Sequence, residues 1–508
     1  MKVLVVIATY GSGNDRYLQR LVQEYRSMSF DINIVVLSNV PKHVADGVEV
    51  IVVPRRWIPW TRRGTFNGSR DLRFLIQEYR DWVRHLDIPF AHKQVFADRL
   101  SDYDLFLYSE DDTLVTERNL RAFLAVSAVL PEDEIPGFLR FERTPDGQVN
   151  YPDVHGHFHW DCSSVRRRGE HTLAFFTNEH AACYVVTRAQ LRRAIDSGRF
   201  LVAPHGGKYD LLCTAATDVY TQCGFKKLIC ISQLNDFLVH HLPNKYVGTA
   251  FGVDNSELRR QVGCLLQIEA SERRCGQLFE TETKLVDRCY SKGYYEPVQR
   301  ELLAELPKGV RTILSVGSGC GATEACLVNM GIRVTAVPLD PVIGGAAEAQ
   351  GVEIIDGDFD QARRTLEGRK FDCLLLPTVL HLVPDQVELL RSWAALLRVG
   401  GTVIAVVPNT SRLELSWTAL RGGRVNDGEM YRTTGVHHTS RETVRSWFES
   451  AGLRVDRLNG AVRSRAQRIG RLTKGRLNVW LAYEFFVVAG KTVETKAVAT
   501  LHAAGMRS

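Results

Sequence analysis

One stretch near the middle of the chain constrains the fold more than any other. It reads TILSVGSGCGATEACLVNMGIRVTAVPLD over residues 312–340. An apolar run ends in Gly317, Gly319 and Gly321, a helical pattern follows, and a second β-rich run precedes Asp340. Glycine at alternate positions lets a backbone turn sharply and approach a ligand without a side-chain clash. An acid about twenty positions later suits a ribose hydroxyl. The stretch predicts a strand–turn–helix–strand unit that binds a nucleoside, with a plain tight turn as the alternative.

The length of the chain and its charge indicate how many domains accompany this unit and which partners they suit. Its 508 residues exceed one ordinary hydrophobic core, so we expect two or three domains. The net charge of +6 is a mild excess that does not by itself indicate nucleic acid. The eleven cysteines are scattered without a CxxC pair, which is typical of reduced cytosolic thiols. Because no apolar run is long enough to cross a bilayer, we expect a cytoplasmic protein, with peripheral contact at the membrane left open.

The N-terminal half opens with alternating strand and helix patterns. Continuous apolar runs at 3–8, 32–37 and 48–53 predict strands of a largely parallel sheet, and residues 15–28 carry helical spacing. A basic and aromatic loop at 55–68 suits a diphosphate or an anionic acceptor, and equally a solvated surface. The pattern predicts an α/β domain at the N-terminus.

Three consecutive carboxylates, at residues 110–112, follow the next apolar strand, at 104–108. Ligands bind at that edge of open α/β sheets. Adjacent carboxylates repel one another, and their hard oxygens suit Mg²⁺ or Mn²⁺, which would hold a nucleotide diphosphate. The alternative is an acidic helix N-terminus, because Glu117 begins a helical pattern soon afterwards.

The segment YDLFLYSEDD, which ends at Asp112, resembles the DxD-type segment of GT-A fold glycosyltransferases. The resemblance covers roughly the first half of the chain and implies Asp112 as the direct metal ligand, with Glu110 beside it. Further on, FLVHHLPNK is similar to the late segment in which one histidine completes the metal site and a lysine helps to hold the diphosphate. His240 and His241 alternate along a strand, so at most one of them is expected to be a ligand, and we favour His241.

Two further groups of polar residues lie between these segments. Glu179, Asp210 and Asp218 are carboxylates available as the general base of an inverting transfer, and their spacing selects none of them. The cluster HGHFHWD, at residues 155–161, has alternating histidines that would share one face of a strand, a geometry that permits a transition-metal site. We favour a polar loop of the acceptor cleft for this cluster.

Further strands follow Asp340, and their order resembles that of class I S-adenosylmethionine-dependent methyltransferases over about residues 294–491. In that family the glycine loop approaches the methionine part of the cofactor, one acid holds the ribose, and an aspartate after the third strand reaches the adenine amine. The resemblance therefore implies cofactor contacts from the glycine loop, the second-strand acid and the residues after the third strand: Gly317, Gly319, Gly321, Asp340, Asp358 and Phe359. Tyr294, Tyr295 and Glu296 lie just before this unit, where we expect them to fold over a cofactor, with core packing as the alternative for at least one tyrosine.

The C-terminal half departs from that family at two positions. Pro338 occupies the usual place of the ribose-binding acid, and Thr378 stands where relatives often carry an acid. His381 lies where an acceptor would dock and is a candidate to take a hydroxyl proton during O-methylation, with a helix-terminus role as the alternative. Thr439 and Glu442 form a capping-box pattern before a helix.

Residues 457–476 carry seven basic residues and no acid. Such a run suits anionic lipid or a lipid-diphosphate acceptor, and a solvated loop is the usual explanation.

Together these features predict an α/β protein of two domains joined by a helical connector. We assign residues 1–252 to a GT-A-like nucleotide-sugar fold, 253–308 to the connector, 309–491 to a Rossmann-like class I methyltransferase fold and 492–508 to a disordered tail. The predicted cofactors are S-adenosylmethionine and Mn²⁺ or Mg²⁺ with a nucleotide-sugar. The predicted activity is a bifunctional glycosyltransferase and methyltransferase that builds a surface glycan or glycolipid on a glycan or lipid-linked acceptor, without nucleic acid as partner. The alternatives are a methyltransferase with a non-catalytic, glycan-binding N-terminal domain, and a scaffold protein of a glycan assembly complex.

Overall fold

The computed structural model describes residues 1–54, 87–206, 208–271, 276, 278, 291–411, 427–461 and 482–491. Several predicted features lie outside these residues: the basic loop at 55–68, a helix predicted from Ser69 to His85, most of the basic run after Ala461, and the tail at 492–508.

The chain opens with a five-stranded sheet that is parallel except for one edge strand. Its strands are, in spatial order, β3 (Glu49–Val52), β2 (Asp31–Ser38), β1 (Lys2–Thr9), β4 (Leu105–Glu110) and the antiparallel β11 (Cys183–Thr187). The apolar side chains of β1 are fully buried, as expected for a parallel strand covered on both faces. The predicted strands in this region and the helix α1 (Asp15–Ser27) are confirmed to within two residues.

Two smaller sheets complete the N-terminal half. One contains β6 (Glu134–Pro136), β12 (Lys226–Cys230), β10 (His171–Phe176) and β9 (Trp160–Arg168), in that order. The other contains β14 (Val253–Asp254), β8 (Val149–Tyr151), β7 (Leu139–Arg143), β13 (Leu238–His241) and β5 (Thr113–Leu114). The helices that pack around these sheets are α2 (His92–Asp98), α3 (Glu117–Ser127), α4 (Arg188–Asp196), α5 (Leu211–Thr221) and α6 (Asn255–Ala270).

The histidine cluster at 155–161 differs from the strand geometry considered for it. Residues 152–159 form turns between β8 and β9, so the three histidines do not share one strand face. His155 contacts the ring of Phe251, whereas His159 is buried against Tyr294. The preferred interpretation of a loop is therefore confirmed, although its role in an acceptor cleft stays a prediction.

The C-terminal half is built on a seven-stranded sheet. Its strands are, in spatial order, β17 (Glu353–Ile354), β16 (Arg333–Pro338), β15 (Thr312–Ser318), β18 (Phe371–Pro377), β19 (Leu397–Pro408), β21 (Glu484–Lys491) and β20 (Leu453–Ala461). The first five are parallel and β21 is antiparallel to both neighbours. The strand order reverses between β15 and β18, which makes their carboxyl ends the expected ligand crevice.

Helices cover both faces of this sheet. They are α7 (Arg300–Ala304), α8 (Ala322–Asn329), α9 (Pro341–Gly344), α10 (Phe359–Thr365), α11 (Gln386–Ala394), α12 (Asp427–Thr434) and α13 (Arg441–Ser450). The N-cap of α13 is Ser440, whose hydroxyl accepts from the Thr443 amide, so the predicted capping box of Thr439 and Glu442 is not formed. The buried Thr439 instead donates its hydroxyl to the Pro408 carbonyl at 2.5 Å. Among the described helices, none is long and apolar enough to cross a membrane.

Candidate active sites

The glycine loop lies at the carboxyl end of β15, at the crevice where the strand order reverses. Gly317 and Gly321 adopt φ angles of +88° and +78°, a region that favours glycine. A Cβ atom on Gly319 would lie 2.5 Å from the Tyr294 carbonyl oxygen, and one on Gly321 would lie 2.4 Å from the Ala347 Cβ. The loop therefore needs glycine because its backbone conformation and its close packing both exclude a side chain.

A buried carboxyl group contacts the strand that leads into the glycine loop. Glu324 of α8 accepts a 2.6 Å hydrogen bond from the Ser315 hydroxyl on β15. Burial raises the pKa of Glu324, and the Ser315 hydrogen bond opposes that shift. Our sequence analysis missed this residue, although an acid within the otherwise apolar first turns of α8 was a usable signal.

The acid after the second strand of the domain has a structural task in this arrangement. Asp340 is 1% exposed and is the N-cap of α9, where one carboxylate oxygen accepts from the Ile343 amide at 3.0 Å. Its other oxygen lies 3.8 Å from the Cys162 Sγ of the N-terminal half. The predicted contact with a ribose therefore stays a prediction, and it would need the buried oxygen to face the cofactor.

The residues after the third strand and the predicted covering tyrosine lie around the same edge. Asp358 is exposed and accepts from the Gln361 amide at 2.7 Å as the N-cap of α10. Phe359 is half-buried and meets Trp393 edge-on. Tyr295 is half-buried, and its hydroxyl donates to Gln261 at 3.4 Å. A surface carboxylate, an aromatic ring and a glycine loop at one sheet edge are groups that suit an adenosyl cofactor.

A second polar cluster lies at the carboxyl end of β18 and the start of β21. The Lys292 ammonium is 3% exposed and donates to Glu296 at 2.6 Å and to the Pro377 carbonyl at 2.8 Å. Glu484 begins β21 opposite Pro408. Burial, followed by the nearby charge of Glu296, raises the pKa of Glu484 to about 7. The sequence analysis placed Glu296 beside the cofactor but selected neither Lys292 nor Glu484, and Glu484 comes from a distant segment.

His381 does not face this cluster as an accessible base. Its side chain is 0% exposed on a short turn at Leu380–Leu382, and its carbonyl accepts from the His437 amide at 2.9 Å. A buried imidazole has no open face for an acceptor hydroxyl. The geometry therefore supports the alternative, a structural role for His381.

The N-terminal half brings Asp112 and His241 together, as the resemblance implied. The His241 Nε2 lies 3.4 Å from the Asp112 carboxylate, and its Nδ1 lies 2.6 Å from Glu142. Burial would raise the pKa of Asp112, but the hydrogen bond and charge of His241 keep it below its usual value. Burial and the charge of Asp112 raise the pKa of Glu110. Glu142 is a residue that the sequence analysis missed.

A metal at this point would rest mainly on Asp112. Among the residues that the structure describes, no three His, Cys, Asp or Glu side chains are arranged to enclose an ion. Mg²⁺ is commonly held by one or two carboxylates together with substrate phosphates and water. A single ionised Asp112 beside His241 fits that mode, and the predicted part of Glu110 in the metal site stays a prediction.

The three predicted general bases all have partners. Asp210 is the N-cap of α5 and accepts from the Cys213 amide at 2.9 Å. Asp218 is fully buried and forms an ion pair with the buried Lys93, and His205 Nε2 lies 3.2 Å from its second oxygen. Glu179 accepts from Lys208 at 2.7 Å and from the Tyr209 hydroxyl at 2.9 Å. Direct proton transfer to Asp218 from an acceptor is incompatible with its burial, while the role of Glu179 stays a prediction.

Comparison with known proteins supports the interpretation of the C-terminal half. Residues 290–458 match the model of a methyltransferase domain family. Two ubiquinone biosynthesis O-methyltransferases are similar, from Xanthomonas axonopodis pv. citri (strain 306) and Xanthomonas euvesicatoria pv. vesicatoria (strain 85-10). The first is 24% identical over 35% of this chain and 76% of the relative, and the second is 23% identical over 34% and 74%.

Among solved structures, a SAM-dependent methyltransferase from Archaeoglobus fulgidus aligns over 38% of this chain and 90% of its own, with 17% identity and a TM-score of 0.29. An S-adenosylmethionine-dependent methyltransferase from Mesorhizobium loti aligns over 38% and 96%, with 20% identity and a TM-score of 0.29. With the family match and the strand order, the C-terminal half is a methyltransferase domain with the Rossmann-like class I fold. The GT-A resemblance of the N-terminal half stays a prediction.

Proposed function

We propose that the C-terminal domain transfers the methyl group of S-adenosylmethionine to a hydroxyl oxygen of its acceptor. The observation that carries this proposal is the glycine loop at the reversal of strand order, which lies within the segment matched by the methyltransferase family. The choice of oxygen follows the similar relatives, which are O-methyltransferases by name.

The cofactor supplies an electrophilic methyl group when it is bound. An acceptor hydroxyl must lose its proton as its oxygen attacks that group, so a base is required on the acceptor side. Glu484 is half-buried at the carboxyl edge of the sheet, and its raised pKa of about 7 is near the optimum for a base at neutral pH. Lys292 and Glu296 form an ion pair beside Glu484, and the negative charge of Glu296 favours the protonated form of the Glu484 carboxyl group.

The test is a calorimetric titration of the full chain with S-adenosylmethionine and with S-adenosylhomocysteine. We expect one binding site per chain for each compound. A chain that is folded by circular dichroism and binds neither compound would contradict the proposal and favour a scaffold role.

For the N-terminal half we propose transfer of a sugar from a nucleotide-sugar, assisted by Mn²⁺ or Mg²⁺ on Asp112. The observation that favours this second function is the approach of His241 to Asp112 at the carboxyl end of β4, where ligands of open α/β sheets bind. A glycosyltransferase joined to a methyltransferase would extend and methylate one surface glycan or glycolipid.

Titrations with UDP and GDP, each with and without Mn²⁺, test this second proposal. Binding of one nucleotide only in the presence of metal would support a working donor site and identify the base. If neither nucleotide binds while S-adenosylmethionine does, the N-terminal half is better explained as a glycan-recognition module.

A further inference from the structure

The glycine loop is covered by a short segment of the same chain, which we call the cover segment (residues 293–296). The Cys320 amide donates to the Tyr294 carbonyl at 2.7 Å, and the Cys320 thiol lies 3.6 Å from the Glu296 carbonyl. The Tyr294 carbonyl oxygen also occupies the space where a Cβ atom of Gly319 would lie. The position of Tyr294 therefore fixes the path of the loop. Any cofactor held by the loop therefore depends on where Tyr294 lies.

The N-terminal half holds Tyr294 from the opposite side. The Tyr294 amide donates to the Gly156 carbonyl at 2.6 Å. The His159 ring stacks on the Tyr294 ring with a centroid distance of 4.4 Å and an interplanar angle of 17°. His159 and Tyr294 are both nearly buried, at 4% and 6% exposure. A side chain of the N-terminal half thus packs directly on the residue that fixes the glycine loop.

His159 is itself held in place. Its amide donates to the Thr177 hydroxyl at 2.9 Å, and the Thr177 amide donates back to the His159 carbonyl at 2.9 Å. Thr177 directly follows β10, so this pair of hydrogen bonds ties the histidine to a sheet of the N-terminal half. These two hydrogen bonds therefore fix the backbone position of the stacked His159 ring.

A second contact joins the N-terminal half to the turn after β16. The Arg260 guanidinium on α6 donates to the Val342 carbonyl at 2.7 Å and to the Ile343 carbonyl at 3.2 Å. Val342 is 1% exposed and belongs to the same buried apolar cluster as Trp160 and Leu258. Two loops of the methyl-donor site, on separate strands, are thus both fixed by residues of the N-terminal half.

We propose that the N-terminal half forms a structural part of the methyl-donor site, and that His159 is a positioning residue that acts on the cofactor through Tyr294. The proposal rests on the proposed methyltransferase function. It assigns the N-terminal half a role that does not depend on sugar transfer. It also means that residues 290–458, although matched as a methyltransferase domain, form a complete cofactor site only with the preceding half.

The test compares S-adenosylmethionine binding to full-length variants by calorimetry. We expect His159→Ala to weaken binding about 2- to 10-fold, the effect of losing one aromatic pair. His159→Phe retains a ring over Tyr294 and is expected to bind nearly as tightly as the wild type. The matched control is His155→Ala, which removes a histidine of the same loop whose ring contacts Phe251 within the N-terminal half. Binding to this control should be unchanged.

Amide hydrogen exchange gives a second readout that does not depend on affinity. We expect His159→Ala, but not His155→Ala, to accelerate exchange in peptides that cover residues 293–296 and 317–321. Should His159→Ala fail to fold, Arg260→Met tests the other contact, and it too should weaken binding about 2- to 10-fold. Wild-type affinity in folded His159→Ala, or in Arg260→Met when that variant decides, would overturn the proposal. Absence of binding to the wild type would instead overturn the proposed function, and this inference with it.

Discussion

At the scale of single residues, Gly319 is the position where the smallest change should have the largest effect on the methyl-donor site. A Cβ atom there would lie 2.5 Å from the Tyr294 carbonyl oxygen and 2.9 Å from the Gly293 carbonyl oxygen, and both are backbone atoms that cannot swing away. We therefore expect Gly319→Ala to displace the cover segment and to abolish measurable binding of S-adenosylmethionine in a calorimetric titration.

Gly263→Ala is the matched control for that change. Gly263 lies inside α6, and a Cβ atom there has no neighbour within 4 Å. Alanine favours a helix interior by about 1 kcal/mol over glycine, so this variant should bind normally and unfold at a slightly higher temperature. Equal binding by the two variants would show that the packing at Gly319 is not required for the cofactor.

Glu484 provides a prediction about pH. Its pKa in the folded chain is raised to about 7, from a usual value of 4.5, mainly by burial. Between these pH values the folded state holds a proton that the unfolded state has released, so this residue's contribution to stability is present at low pH and is lost as the pH rises through about 7. We expect Glu484→Gln to unfold at a higher temperature than the wild type at pH 8, with a gap that shrinks towards pH 5 in thermal scans. A gap that is constant with pH would mean that Glu484 does not titrate in this range.

At the scale of elements, a buried ion pair joins α2 to α5. Lys93 and Asp218 are 2% and 0% exposed, and neither charge can reach water if its partner is removed. Loss of one partner from such a pair costs about 3–5 kcal/mol, whereas apolar replacement of both is often tolerated. We expect Lys93→Met to lower the free energy of unfolding by that amount in urea, and Lys93→Met combined with Asp218→Leu to recover most of it. Activity lost in Asp218→Asn without any loss of stability would instead restore Asp218 as a general base.

The elements also show what the sequence predicts well and where it fails. Strands such as β1 and β15 are long apolar runs, which fit a parallel strand that is buried on both faces. Their bounds were therefore predicted closely. The preferred loop at residues 155–159 was correct, but its shape was not predictable from the alternating histidines, because it is set by contacts with Tyr294 and Phe251 from distant segments. The displaced cap at Ser440 has the same origin, since Thr439 is drawn to the Pro408 carbonyl on β19.

The candidate sites likewise contain some residues that the sequence predicts and others that it does not. The glycine loop comes from a local pattern and the Asp112–His241 pair from the GT-A resemblance, and the structure places both at the carboxyl ends of strands. The approach of Glu484 to Lys292 and Glu296 was not predictable, because Glu484 lies 188 residues after Glu296 and meets the pair only through the order of β18, β19 and β21. Burial is equally invisible in a sequence, which is why Asp218 and His381 looked available as bases.

At the scale of the whole molecule, the two halves are joined more closely than a linker between domains requires. Val342 of the C-terminal half lies in an apolar cluster otherwise drawn mostly from residues 139–265, and Arg260 and His159 bond to or stack on loops of the methyl-donor site. Two sites that share such contacts are expected to influence each other only if a ligand moves the shared residues. Asp112 is not among those residues.

The substitution Asp112→Asn therefore tests whether the two sites share only structural contacts or also depend on each other for ligand binding. It removes the charge that pairs with His241, and among the described residues the Asp112 side chain contacts His241 and Thr113, which are not part of the loops at Tyr294 or Val342. We expect this variant to lose metal-dependent nucleotide binding and sugar transfer while its affinity for S-adenosylmethionine stays within about twofold of the wild type, because a change of 0.4 kcal/mol or less is all that twofold allows. Calorimetry with both ligands on one preparation measures this directly. Loss of both affinities in a folded Asp112→Asn variant would show that ligand binding at the two sites is coupled. It would also mean that the coupling involves residues near the end of β4, and not only the contacts of His159.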